Sequence, residues 1–372
     1  MAGIYIHIPY CHSKCAYCDF YSMPRTEHIE QYVTALIDEW HSRINEISEP
    51  IETIYIGGGT PSILPPATLD RLIRALPLNN VTEFTIEANP EDITKEFSDY
   101  IARQTPINRV SMGIQSFVDD ELKLIGRRHS AVEAIKAIER LKQSGIGNIS
   151  GDLIYGLPLQ NMETWQHSLD TLLSLNLTHI SCYLLSYEQG TRLYAMRLKG
   201  KITEASESEA VAYYDFLCRT CAARGYEHYE ISNFAQTGYR SKHNSGYWSG
   251  VPYIGLGTAA HSFDGLVRRY NPSNIKEYIA HKHTPEKPFF VIDEENESQR
   301  FNDFILTSLR TSRGMDLDVC ERTFGTKRIE ELLSSAARHI KSGNMQLSGR
   351  QLSISENMWL ISDSIIIDLI EV

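Results

Sequence analysis

The chain has 372 residues, 42% of them hydrophobic, which is ample for one large core and leaves room for a second, smaller unit. Its formal charge of −11, from 36 Lys and Arg against 47 Asp and Glu, excludes a nucleic-acid protein whose affinity rests on phosphate contacts, and no basic block overturns that. No apolar run approaches the roughly 18 residues of a membrane span and no basic-then-apolar leader opens the chain, so a cytoplasmic protein without a transmembrane anchor is expected.

Residues 3–8 form an apolar run that reads as a first strand, and Cys11, Cys15 and Cys18 follow it in a Cys-x-x-x-Cys-x-x-Cys spacing. An iron-sulfur cluster usually takes four thiolates. Three leave one iron open to bind and activate a small molecule, the same logic that separates open catalytic metal sites from closed structural ones. A structural zinc site completed by His7, His12 or His28 is the bland alternative, but such sites usually come as two close ligand pairs, and no second pair follows nearby. Seven cysteines, an odd number with three clustered, suit reduced thiols and metal binding better than a disulfide framework.

Further short apolar segments at 51–56, 83–87, 109–113, 148–154 and 179–184 read as buried parallel strands. Helical patterns lie between them. The clearest is 27–47, where Ile29, Tyr32, Val33, Leu36, Ile37, Trp40, Ile44 and Ile47 form one stripe; another is 130–144, ended by Gly145. Six strand-helix units predict an α/β fold with a parallel sheet, open or curled into part of a barrel, since periodicity does not fix curvature.

Past residue 184 the pattern loosens into a helix near 206–224, a tyrosine-rich strand at 227–232 and a glycine- and aromatic-rich stretch at 238–265. Residues 271–295, with three prolines and many charges, read as a linker. Helices at 301–309, 317–324 and 329–341, then alternating segments near 345–354 and 358–368, read as a small, mostly helical, winged-helix-like appendage. The expected division is 1–235, 236–295 and 296–372.

Polar residues recur at the C-terminal ends of the predicted strands, where barrels of this kind carry their working residues. Gly57-Gly58-Gly59-Thr60-Pro61 follows the second, Glu87-Ala88-Asn89-Pro90 the third, Gly113-Ile114-Gln115-Ser116 the fourth, and Asp152 lies on the fifth before Tyr155-Gly156-Leu157-Pro158. Singly, Glu87, Gln115, Arg127 and Asp152 read equally well as caps, loop residues or ion pairs. Jointly, beside a three-cysteine loop, they read as one site. With Tyr17 ahead of Cys18, Tyr5-Ile6-His7-Ile8-Pro9 and residues 124–127, these motifs resemble the radical S-adenosylmethionine (SAM) enzymes, and within them the coproporphyrinogen III oxidase family. The resemblance implies a partial (β/α)6 barrel and a 4Fe-4S cluster on Cys11, Cys15 and Cys18 whose open iron is chelated by SAM. It further implies Tyr5, Phe20, Gly58, Gly59, Thr60, Glu87, Gln115, Arg127 and Asp152 as cofactor contacts, reductive cleavage of SAM, and an electron donor such as a flavodoxin or ferredoxin.

Two features divide that family. The porphyrinogen-decarboxylating enzymes carry a fourth cysteine two residues after the third, and an N-terminal arm; here that position is Phe20, and Met1 stands almost on the first strand. The run His243-Asn244-Ser245-Gly246-Tyr247-Trp248 resembles the His-Asn-x-x-Tyr-Trp motif of the HemW-type heme chaperones, which implies heme as a further cofactor and apo heme-proteins as acceptors, with peripheral membrane contact where those acceptors are respiratory enzymes. An imidazole can ligate heme iron, so His243 is the heme candidate and His261 a weaker one. A buried, hydrogen-bonded histidine is the alternative. The expected function is a heme chaperone, with oxygen-independent coproporphyrinogen dehydrogenase as the runner-up. Cys218-Arg219-Thr220-Cys221 falls late in a helix on an apolar face and, like Cys182 and Cys320, reads as core packing.

Overall fold

The structure, a computed structural model, describes residues 1–371. Six strands, β1 (Ala2–Ile8), β2 (Ile51–Gly58), β3 (Glu83–Ala88), β4 (Arg109–Gln115), β5 (Asn148–Tyr155) and β6 (His179–Leu184), pair in parallel in that order. They match the predicted strands to within two residues at either end. Helices separate them, as the right-handed strand-helix-strand crossover requires. The helix Ile29–Arg43 is shorter than its apolar stripe suggests: His28 adopts a left-handed φ of 72° ahead of it, and Ile44, beyond its end, is 48% exposed. The helix Ala131–Ser144 has the expected ends, a Ser130/Glu133 capping box and a left-handed Gly145.

Two short strands extend the sheet beyond β6: β8 (Asn233–Ala235) pairs antiparallel with β6, and β7 (Glu227–Glu230) antiparallel with β8. On the other side, β9 (Tyr253–Leu256) pairs in parallel with β1, and β10 (His261–Phe263), β11 (Arg268–Tyr270) and β12 (Val291–Asp293) continue outward antiparallel. The first strand therefore lies inside a twelve-stranded sheet. Residues 271–295 are thus no linker. They hold the helix Ile275–Ala280 and β12, with Asn271 and Tyr278 buried. Prolines and charges dominate the segment's composition, while its structural role rests on a few side chains, Tyr278 above all, which packs on Tyr32 with ring centroids 5.1 Å apart.

The C-terminal unit carries helices Glu297–Leu309, Leu317–Phe324 and Thr326–Ser342 and a small sheet of β13 (Met315–Asp316), β14 (Met345–Ser348) and β15 (Gln351–Ile354), in the order β13-β15-β14. The alternating segment expected near 358–368 is instead a 3-10 turn, Glu356–Ile361, followed by the helix Ser362–Ile367. Its buried residues Trp359, Ile365, Ile366 and Leu369 follow a helical face, not the strict alternation of a strand.

A buried ionic knot joins the first helix to the segment after β9. Glu39 accepts hydrogen bonds from Arg43 (3.0 Å), Asn271 (2.8 Å), the Gly257 amide (2.9 Å) and the Tyr278 phenol (2.5 Å). Glu39 and Arg43 are both 2% exposed at the side chain; Arg43 also pairs with Glu46, so deleting Glu39 leaves Arg43 a partner but strands the buried donors of Asn271, Gly257 and Tyr278. Glu39→Ala should destabilise the protein by about 3–5 kcal/mol. Thermal or denaturant unfolding checks this, with exposed-pair variant Asp70→Ala, expected to cost about 1 kcal/mol or less, as the control.

Candidate functional site

The loop after β1 is tied at its base and its tip. Met23 donates to the Pro9 carbonyl (2.8 Å) and Cys11 to the Met23 carbonyl (3.1 Å), so residues 11–22 leave and rejoin the sheet end at one place. At the tip, Ala16 donates to the Ile125 carbonyl and accepts from the Leu193 amide, both at 2.8 Å, and it packs among Ile125, Ile154, Leu157 and Leu193. This holds Cys11, Cys15 and Cys18 at the mouth of a cavity of about 470 Å³ whose walls are the C-terminal strand ends. The three thiols line one cavity, and a donor set of three thiolates fits an iron-sulfur cluster that keeps one iron open. Burial raises the Cys11 thiol and pushes Cys18 up to about 11, so cluster assembly has to displace protons there.

The glycine triplet makes room for this loop. A side chain at Gly59 would put its Cβ 2.6 Å from the Tyr10 carbonyl oxygen and 2.9 Å from Cys11 Sγ, and Gly58, at φ 115°, lies where a Cβ would meet the His7 ring at 2.7 Å. The next residue, Thr60, donates from Oγ1 toward Cys11 Sγ at 3.6 Å. Arg127 crosses from the other side, with Nη1 3.5 Å from Cys15 Sγ and Nη2 donating to Asn89 (2.6 Å) and the Gly113 carbonyl (2.5 Å). Its Nε is buried without a partner.

Glu87 accepts from the Tyr55 phenol (2.8 Å) and from the Gly58 amide (3.1 Å). Burial, helped by the nearby Asp152, nevertheless raises its carboxyl to about 7, against 4.5 ordinarily. Burial also raises Asp152, although Ser111 and Ser150 donate to it. Gln115 holds a left-handed φ of 70°, a strained backbone of the kind that collects at functional sites, and its side chain lines the cavity. Every cofactor-contact residue expected from the resemblance lines this cavity except Tyr5; Phe20, 66% exposed, sits at its lip.

Tyr5 lines a second cavity, of about 550 Å³, which shares Glu87 and Tyr183 with the first and extends to the C-terminal unit at Arg310 and Trp359. Tyr247 and Trp248 stand on its wall. The helix that carries them, Lys242–Trp248, is docked by Glu83, which accepts from the Lys242 and His243 amides at 3.0 Å each. His243 itself is 3% exposed, and burial lowers its pKa to about 3. Its Nδ1 lies 2.9 Å from Thr53 Oγ1 and its Nε2 2.8 Å from Tyr247 Oη. His261 is exposed on β10 and lines neither cavity. Cys221 is fully buried and burial pushes Cys218 up to about 12, in keeping with core packing.

Residues 5–172 match the Radical SAM superfamily. The heme chaperone HemW of Bacillus subtilis (strain 168) is 35% identical over 322 residues, 85% of each chain, and HemW of Lactococcus lactis subsp. lactis (strain IL1403) is 37% identical over 327 residues, 86% of this chain and 84% of that one. The chain belongs to the HemW family of radical SAM proteins. Among solved structures, the radical SAM enzyme coproporphyrinogen III oxidase (HemN) from Escherichia coli shares the fold, with a TM-score of 0.83 over 99% of this chain and 89% of that one at 22% identity.

Residues that frame this HemW-family site but escaped the motif reading are Thr53, Tyr55, Glu83, Tyr183 and Arg310. A signal for the strand residues exists. Polar side chains occupy alternate positions of largely buried strands, as in Thr53/Tyr55, Thr85/Glu87 and Ser150/Asp152, which marks the inner face of a barrel.

Two outcomes are expected. Gly59→Ala should fold with native far-ultraviolet dichroism yet lose most of its iron and sulfide on reconstitution, because its Cβ falls on Cys11; metal analysis checks this. The raised Glu87 carboxyl means that its contribution to stability is complete below about pH 4.5 and is lost as pH rises through about 7. Cluster-free wild type should therefore lose stability relative to Glu87→Gln across that window, measured by thermal unfolding of both proteins against pH.

Proposed function

We propose that this chain is a heme chaperone: it holds a 4Fe-4S cluster and SAM in the first cavity, receives heme at the second, and delivers it to apo heme-proteins. One observation carries the reading. The His-Asn-x-x-Tyr-Trp helix forms the wall of a cavity adjoining the three-cysteine site, in a chain that matches HemW proteins along most of its length. Cys11, Cys15 and Cys18 would hold the cluster. Gly58, Gly59, Thr60, Glu87, Gln115, Arg127 and Asp152 would seat SAM, the glycines by offering backbone at close range and Arg127 by keeping a cation beside Cys15, while Tyr5 faces the second cavity. When bound, the cluster and SAM together supply one-electron chemistry at a carbon-sulfur bond. Glu87 is poised to hold or release a proton near neutral pH at the wall between the cavities.

Phe20 stands where the decarboxylating enzymes carry their fourth cysteine, and a phenyl ring ligates nothing; this favours chaperone over dehydrogenase. We assign residues 1–235 to the cluster and SAM, 236–295 to the heme-facing motif and the sheet extension, and 296–372 to the closing wall of the second cavity. A flavodoxin or ferredoxin fits as electron donor, and a cytoplasmic site of action with peripheral contact to membrane-bound acceptors fits a chain in which no helix among the described residues is long and apolar enough to cross a membrane.

The test is anaerobic incubation of the reconstituted protein with reductant, SAM and coproporphyrinogen III, with mass spectrometry of porphyrin and nucleoside products. The expected result is an unchanged porphyrin together with saturable heme binding and heme transfer to an apo-protein. Loss of two carboxyl groups matched by 5′-deoxyadenosine would make the chain a dehydrogenase. Cys15→Ala should lose cluster absorbance and SAM cleavage; a full iron and sulfide complement in that variant would remove Cys15 from the ligand set.

A further inference from the structure

His243 is the obvious nitrogen ligand for a heme iron, yet both of its nitrogens are engaged inside the protein. Thr53 holds Nδ1 and Tyr247 holds Nε2, the ring stacks on Tyr55 with centroids 5.3 Å apart, and Gly3 crowds its edge, since a Cβ there would come within 3.1 Å of Cε1. Glu83 pins the backbone on which it sits. Bringing this imidazole to an iron through Nε2 would break the Tyr247 bond, and the ring, 3% exposed, is not on the cavity lining.

Tyr247, one turn further along the same helix, lies on the cavity wall instead. We propose that the Tyr247 oxygen, not His243, ligates the heme iron, and that His243 is a positioning residue whose Nε2–H donates to that oxygen. This rests on the heme reading of the same motif. The hydrogen-bond chain supports the required tautomer: Thr53 Oγ1 makes no other side-chain bond, so its hydroxyl can donate to Nδ1 and leave the ring proton on Nε2. A tyrosine oxygen is an established kind of ligand for ferric heme. A donated N–H strengthens it by stabilising the anionic form. On binding, the Oη–iron(III) bond forms, the phenol O–H breaks, and the proton leaves to water; no electron moves.

The other phenols of the cavity are less suited. Tyr55 donates its hydrogen to Glu87. His7 Nε2 must carry its proton, because it faces the Tyr21 carbonyl at 2.9 Å; Nδ1 therefore accepts from Tyr5, and the Tyr5 oxygen receives no N–H support. Burial opposes a phenolate at Tyr183 and Tyr247 alike, but Tyr183 faces three carboxyls, Asp152, Glu230 and Glu87, where Tyr247 faces Glu87 alone. The rest of the cavity fits a porphyrin. Trp248 offers an aromatic face, and Arg310, held to Asp363 through Nη2 at 2.6 Å, presents a buried Nε without a partner, a charge-assisted donor for a propionate carboxylate. The volume lies within the roughly 300–1,000 Å³ of small-molecule and cofactor sites.

The experiment adds ferric heme to the full-length, cluster-reconstituted protein and records absorption, resonance Raman and heme affinity, with cluster absorbance as the check on folding. Wild type should show a phenolate-to-iron charge-transfer band and enhanced phenolate vibrations. Tyr247→Phe, which keeps the packed ring, should lose both and bind heme about tenfold more weakly or worse. Thr53→Val leaves His243 in place but releases its tautomer, and should keep the phenolate signature with a shifted band and vibration. An imidazole-type low-spin spectrum that survives Tyr247→Phe, a phenolate signature lost instead in Tyr183→Phe, or an unshifted Thr53→Val would overturn the assignment while leaving the heme reading standing. Wild-type protein that binds no heme would overturn both.

Discussion

The first strand is hydrogen bonded on both flanks, to β2 on one side and β9 on the other, and both cavities are hung from that placement. One face buries Ile4, Ile6 and Ile8 completely, each contributing about 1.5–3 kcal/mol, which offsets the cost of turning Tyr5 and His7 inward on the opposite face. The strand's end launches the cysteine loop, its glycine admits His243, and its register sets Tyr5 beside Tyr55 and His7 beside Gly57. A one-residue slip would invert every one of these assignments, because successive side chains point to opposite faces. The long apolar alternation on the helix-facing side makes such a slip expensive.

The interior of the barrel uses polarity that water would otherwise satisfy. Ser111, Ser150, Asp152, Glu87 and Tyr55 donate and accept among themselves along successive strands, so that charge can be held in a low-dielectric space without a full ion pair. The same logic fixes the heme-motif helix, which meets Glu83 at its N-terminal amides instead of meeting water. Placement of Tyr247 thus depends on residues of β1, β2 and β3 far away in sequence, and its environment is set by the barrel more than by its own segment.

That dependence explains what the amino-acid order reveals and what it hides. Short apolar strands and the stripe from Ile29 to Trp40 announce themselves, because burial imposes their period locally. The cysteine loop and the glycine triplet announce themselves through chemistry and sterics. The second cavity does not: its walls come from Tyr5 to Asp363, and no window of sequence contains them. Residues 271–295 mislead because Tyr278 and Asn271 do structural work that composition averages away, and residues 358–368 mislead because Trp359 and two adjacent isoleucines mix helical and alternating spacing. His243 is visible as a residue type, while the engagement of both its nitrogens is a tertiary fact.

Glu87 and Tyr183 border both cavities, so one carboxyl and one ring are common to the two walls. A guest on one side that favours the ionised carboxyl alters the electrostatic welcome on the other, and thermodynamic linkage makes that influence mutual and equal in free energy. A change in the protonation of that one carboxyl is then felt on both sides of the wall at once.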